Sequence, residues 1–206
     1  MKFALIMTFF LTSCSLFKIT KVSKDLSVSS QKICLSSSGK GRLKVKGSKY
    51  IFSYESGLQD HQNSWKLALD FPLRKTEVFE VDWSDVKNVK YTSTIEDKIL
   101  RENRGVNPKS IEAFVTNVGS LLKEILIQKS GKSEEQSQFE WQASGNTLNV
   151  TLKNTKFNAT FTNIVSGRYF GLMSLNYVDS TNEGYSLDLI VRNCIENDSN
   201  EPQVIE

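Results

Sequence analysis

From residue 31 to about residue 91, apolar and polar positions alternate, the period of strands with one buried face. Ile33 and Leu35 flank Cys34. Leu43 and Val45 share a face, as do Tyr50, Phe52 and Tyr54. Trp65, Leu67, Leu69 and Phe71 form the next apolar row. Pro72 then interrupts, because proline cannot donate to a central ladder. Phe79, Val81 and Trp83 resume the alternation, and Val86 to Tyr91 predicts one more short strand.

In the middle of the chain the period changes. Ile111, Phe114, Val115, Val118, Leu121, Leu122 and Ile125 recur at three- and four-residue steps, one apolar helical stripe. Asn107 suits the N-cap, Pro108 the first helical position and Gly131 a left-handed stop. The spacing predicts a helix from Pro108 to Lys129 and a shorter one over Ile95 to Asn103. Alternation returns with Phe139 and Trp141, then Leu148, Val150 and Leu152, separated by a Gly145-Asn146 turn signal. Phe157, Ala159 and Phe161 follow. The rows Tyr169 to Tyr177 and Tyr185 to Val191 complete the pattern.

Two strand blocks around a helical middle predict an α+β fold. The expected form is a single curled antiparallel sheet, a half-open β-barrel. Its helices would be inserted between the two strand blocks and cover the apolar face. Parity places Cys34 opposite Ile33 and Leu35. It places Cys194, with Asp188, Ile190 and Arg192, opposite Leu187, Leu189 and Val191. Both cysteines are therefore expected on the outer face, where first and last strands would be stapled.

Composition narrows the class. Hydrophobic residues make up 39% of the 206 and charged residues 24%, which is globular and not disordered. A net charge of +3 is too mild to argue for nucleic acid. His61, the only histidine, stands in a polar loop, so no histidine metal site is available. Neither a Gly-x-Ser-x-Gly elbow nor a phosphate-binding Gly-rich loop is present. Glu80, Asp82 and Asp85 cluster around Trp83, but they read as the exposed side of a strand and the start of a turn. No catalytic residue, metal or cofactor is expected, and the chain reads as non-enzymatic.

The amino terminus carries the most specific motif. Lys2 precedes the apolar run Phe3 to Leu11, then Thr12-Ser13-Cys14, the layout of a secretory signal. The run is too short to span a bilayer. Leu11-Thr12-Ser13-Cys14 resembles the lipobox of bacterial lipoproteins. That resemblance implies cleavage before Cys14 and lipid on its thiol; the plain alternative is a buried N-terminal element with an incidental cysteine. The expected organisation is a signal peptide over 1–13, a lipid-anchored linker over 14–30, a domain over 31–195 and a polar tail over 196–206. Lys18, Lys21 and Lys24 in the linker are either bilayer-facing or simply solvated. Ser15, and not aspartate, follows Cys14. By the rule of enteric bacteria this favours the outer membrane, with the domain facing the periplasm. In that oxidising compartment Cys34 and Cys194 form a disulfide or stay as two separate thiols.

The order of elements also resembles the LolA/LolB family of lipoprotein carriers and receivers. The local likeness runs through Gly41-Arg42-Leu43-Lys44-Val45, Tyr50 to Tyr54, Trp65 to Leu69, Phe71-Pro72-Leu73 and the strand to Trp83. Arg74 stands where that family has glycine. The resemblance implies an apolar cavity for acyl chains and a loop, Leu73-Arg74, that touches the membrane. Phe52, Trp65, Leu67, Phe79, Phe114, Trp141, Phe161 and Met173 are the candidate cavity residues; taken singly, each reads more simply as plain core, and it is the set of large aromatics that points to a cavity. The expected partners are a membrane, through the anchor, and a hydrophobic ligand or lipoprotein acyl chains. The other reading is a non-enzymatic envelope scaffold or assembly lipoprotein with a packed core.

Overall fold

A computed structural model describes residues 30, 32–59, 64–72, 75–82, 90–94, 106–129 and 137–195. Strands form at most of the alternating rows, though Ile33 and Leu35 lie in an irregular segment before the first strand, and turns fix their pairing. β1 (Ser37–Val45) and β2 (Ser48–Gln59) are joined by Lys46-Gly47, with φ of 46° and 82°. A two-residue turn with both φ positive matches the twist of the flanking strands. β3 (Ser64–Asp70), β4 (Glu77–Asp82) and β5 (Lys90–Ser93) continue the first meander. Helix α1 (Pro108–Lys129) follows. The second meander comprises β6 (Phe139–Ser144), β7 (Thr147–Leu152), β8 (Phe157–Val165), β9 (Tyr169–Val178) and β10 (Gly184–Cys194).

All ten strands form one antiparallel sheet in the order β5-β4-β3-β2-β1-β10-β9-β8-β7-β6. The two meanders therefore meet where β1 pairs with β10. The sheet curls strongly. Trp65 on β3 and Phe161 on β8 stand five strand positions apart, roughly 24 Å across a flat sheet at about 4.8 Å per strand. Both nevertheless border one small cavity.

This corrects the expected fold class. Strand accounts for 59% of the described residues and helix for 17%, so the fold is largely β with one helix, and the α+β description fails. Nor is the sheet closed: β5 and β6 are its two ends and do not pair. Beside the four-residue β5 lies α1, whose side chains supply the burial that further strand pairing would otherwise provide. The shorter helix expected over Ile95 to Asn103 lies outside the described residues, as do Cys14, His61, Leu73, Arg74, Trp83, Gly131 and the tail over 196–206.

Helix α1 has the predicted bounds, and Asn107 caps it: its Oδ1 accepts the Lys109 amide at 3.1 Å. Ile111, Phe114, Val118, Leu121, Leu122 and Ile125 are buried against the inner face of the sheet. Gly119 marks the closest approach. A Cβ there would stand 3.3 Å from Val81 Cγ1 on β4, so the glycine lets helix and strand meet.

Cys34 and Cys194 form a disulfide with Cα atoms 5.9 Å apart. Its face is not the outer one that parity predicts. The β1–β10 register shifts between Ser38 and Gly39: Gly39 pairs with Val191 and Ser38 with Asn193, leaving Arg192 as the extra residue of a bulge. One extra residue reverses the facing of all that follows. Cys194 thus pairs with Ser37, which is buried, and Cys34 is only 8% exposed. Gly39 permits the bulge, since a Cβ there would collide with the Ile190 carbonyl oxygen.

Candidate apolar site between sheet and helix

Alternation along β1, β3, β4 and β10 delivers one apolar row from each strand to the inner face. Leu43 and Val45, Leu67 and Leu69, Phe79, and Tyr185 with Leu187 meet Ile111, Phe114, Val115 and Val118 of α1. Together with Ser93 they border a partly open cavity of about 40 Å³. Phe114 is the hub at one end, its ring 6.3 Å from that of Tyr185, 6.4 Å from Tyr177 and 6.5 Å from Phe157. Offset and tilted aromatic contacts at such distances add modestly to burial.

Polar pegs hold the helix near both ends. Near its start the Ser110 hydroxyl donates to Asp179 Oδ2 at 2.7 Å. Asp179, 2% exposed, also accepts from the Thr181 amide at 2.8 Å, the Thr181 hydroxyl at 2.7 Å and the Glu183 amide at 2.9 Å. Burial alone would push its pKa up. The bonds from Thr181, Ser110 and Glu183 favour the charged form more strongly and pull it down to about 2. Toward the other end, buried Glu124 accepts from the Ser137 hydroxyl at 2.7 Å and from Gln128 at 3.3 Å. Between these pegs α1 meets the sheet through apolar side chains. The Tyr185 hydroxyl is buried beside Ser110. Burial pushes its pKa up, and Ser110 offsets this only in part.

A second, smaller space of about 10 Å³ lies near the disulfide. The segment from Ile33 to Ser36 crosses it, held by Trp65 Nε1, which donates to the Leu35 carbonyl at 2.7 Å. The Ser56 hydroxyl donates to the same carbonyl at 3.0 Å. Tyr54 lines this space, and burial raises its pKa, partly countered by Ser37 at 3.4 Å.

The predicted cavity residues divide between these places. Leu67, Phe79 and Phe114 line the space under α1. Trp65, Phe161 and Met173 line the smaller one. Phe52 does neither: it is core, 5.3 Å from the Phe71 ring. Trp141, on β6, packs half-buried against the core with Nε1 unpartnered. Sequence reasoning missed Leu43, Val45, Tyr185 and Leu187 as cavity walls. Their alternation was visible, but nothing in it says which apolar rows face a void.

Among the described residues, no group of three or more His, Cys, Asp and Glu could hold a metal ion. No described helix is long and apolar enough to cross a membrane. The chain matches no protein-family model and no curated protein. The likeness to the LolA/LolB family therefore rests on the residues that carry it.

Proposed function

We propose that this is a lipid-anchored, non-enzymatic envelope protein that receives one apolar chain between the curled sheet and α1. The observation that carries the reading is the cavity of about 40 Å³, apolar-walled and roofed by a helix whose polar ties lie near its ends. Each methylene buried there would contribute about 0.8 kcal/mol. Lifting the apolar middle of α1 would lengthen the space while Ser110–Asp179 and Glu124–Ser137 stay bonded. Cys14 would carry the anchor, and the domain would face the periplasm from the outer membrane. Support for this comes from the Leu11 to Cys14 pattern, Ser15, and the Cys34–Cys194 disulfide, which suits an oxidising compartment. Leu73 and Arg74 would form the membrane-contact loop of a LolB-like transfer protein.

One observation favours the packed-scaffold reading. Ligand pockets commonly span about 300 Å³ or more, whereas this cavity is about 40 Å³. Native mass spectrometry of the full chain decides between them. The ligand reading predicts a co-purifying alkyl-chain lipid at one per protein, absent in Val115→Phe, which fills the cavity. A lipid-free mass for the native protein rejects it and leaves the scaffold.

A further inference from the structure

The outer face of β1, with its neighbours β2 and β10, carries an unusual charge arrangement. The registers define three rows across these strands. The first is Lys49–Lys44–Ser186, the second Ile51–Arg42–Asp188, the third Ser53–Lys40–Ile190. Lys44 and Lys49 are exposed and directly opposite each other. Like charges at directly paired positions destabilise a sheet. Within the rows Asp188 is engaged by Arg42, whose Nε lies 2.9 Å from Oδ2, and the next carboxylates on this face, Glu55 on β2 and Asp70 opposite Ser53 on β3, lie at the end away from Lys44 and Lys49. Glu183, just beyond, pairs with Lys46 at 2.7 Å. Two isoleucines stand among these cations on the solvent side, Ile51 58% and Ile190 52% exposed.

We propose that this face docks on an anionic phospholipid bilayer. Unpaired cations with apolar side chains between them fit an interface where headgroup phosphates neutralise the lysines and isoleucines enter the headgroup boundary. The rows span only about 10 Å by 14 Å between their outermost Cα positions. That is small for a stable protein partner, which covers roughly 800 Å² on each side. A linker over 14–30 would reach at most about 60 Å when extended, longer than the roughly 30 Å of β1. An anchored chain can therefore lie with this face down. The inference rests on the charge pattern and needs no ligand under α1.

Lysine footprinting of the full chain on vesicles tests it. Phosphatidylcholine vesicles are compared with vesicles holding about 30 mol% phosphatidylglycerol. With the anionic lipid, labelling of Lys40, Lys44 and Lys49 falls about threefold or more and recovers in about 0.5 M salt, while Lys109 on α1 is unchanged. Lys44→Glu places a carboxylate opposite Lys49 and should leave the fold intact; in it the protection of Lys40 and Lys49 is lost. Equal labelling on both vesicles overturns the proposal. So does protection that arises only on adding an acidic envelope protein, which would make the partner a protein.

Discussion

The two meanders of this sheet have the same number of strands and different characters. In β6 to β10 the inner face is packed most tightly on β7 and β8, where Leu148, Val150, Phe157 and Ala159 are fully buried, while Tyr185 and Leu187 border the space under α1 and Phe161 and Met173 the small one near the disulfide. Its outer face carries few charges, Glu140 and Asp188 among them, and its polar side chains bond to one another. Thr160 donates to Asn149 at 3.1 Å and Asn176 to Asn158 at 3.3 Å. In β1 to β5 the outer face is charged. The inner face supplies Leu43, Val45, Leu67, Leu69 and Phe79 to the cavity under α1. Unpaired charge thus falls on the first meander, which also supplies most of the sheet side chains around the space under α1, with β10 as the seam. A regular, tightly turned half can hold the fold while the other half departs from ideal packing, which is where binding surfaces are commonly found.

Breaking the seam should have the largest effect. Cys34→Ser with Cys194→Ser opens a sequence separation of 160 residues. The chain-entropy model puts the loss at about 5 kcal/mol, read as a fall in the urea midpoint, with a steeper slope because the uncrosslinked denatured chain exposes more surface.

Core truncations then sharpen the contrast. Phe157→Ala removes a fully buried ring that borders neither cavity and should cost about 4 kcal/mol. Phe79→Ala enlarges a space that already exists, where packing is less complete, and should cost about 3 kcal/mol. Equal losses in chemical denaturation would remove the distinction between the halves.

Asp179 joins the helix to the turn between β9 and β10. Asp179→Ala should cost about 2 kcal/mol, since charge-assisted bonds are lost and Ser110 is left unpaired. The folded pKa of about 2 lies below the ordinary 3.8. The contribution is therefore complete above about pH 4 and disappears as pH falls towards 2. Asp179→Asn should flatten that part of the stability curve. The smallest effect concerns the charged face: Lys44→Glu replaces a like-charge pair and should raise stability by about 0.5 kcal/mol, seen as a slightly higher melting temperature.

Much of this fold was legible in the residues. Apart from Ile33 and Leu35, which precede β1 in an irregular segment, the apolar rows of period two among the described residues became strands. Pro108 to Lys129 became the helix, because its stripe, its Asn107 cap and its proline all agree. The fold class was misjudged because local periods do not count helices or close edges. The face of the disulfide was misjudged because one unmatched residue, Arg192, reverses parity, and only pairing across to Gly39 reveals it. The candidate site was legible in part. Large side chains such as Phe79 and Phe114 announce a core, but which of them border a void depends on curvature and on the helix lying over β4. The Ser110–Asp179 peg joins residues far apart in the chain and leaves no local signal.

The most direct test is a titration of the full chain with a fluorescent saturated acyl chain, run on the native protein and on Val115→Phe side by side. Val115 borders the cavity on α1, and the added ring would occupy it. The account predicts saturable one-to-one binding to the native protein, loss of at least about tenfold in affinity in the variant, and similar melting temperatures for both, as a filled cavity allows. Equal binding by both proteins, or none by the native one, would contradict it.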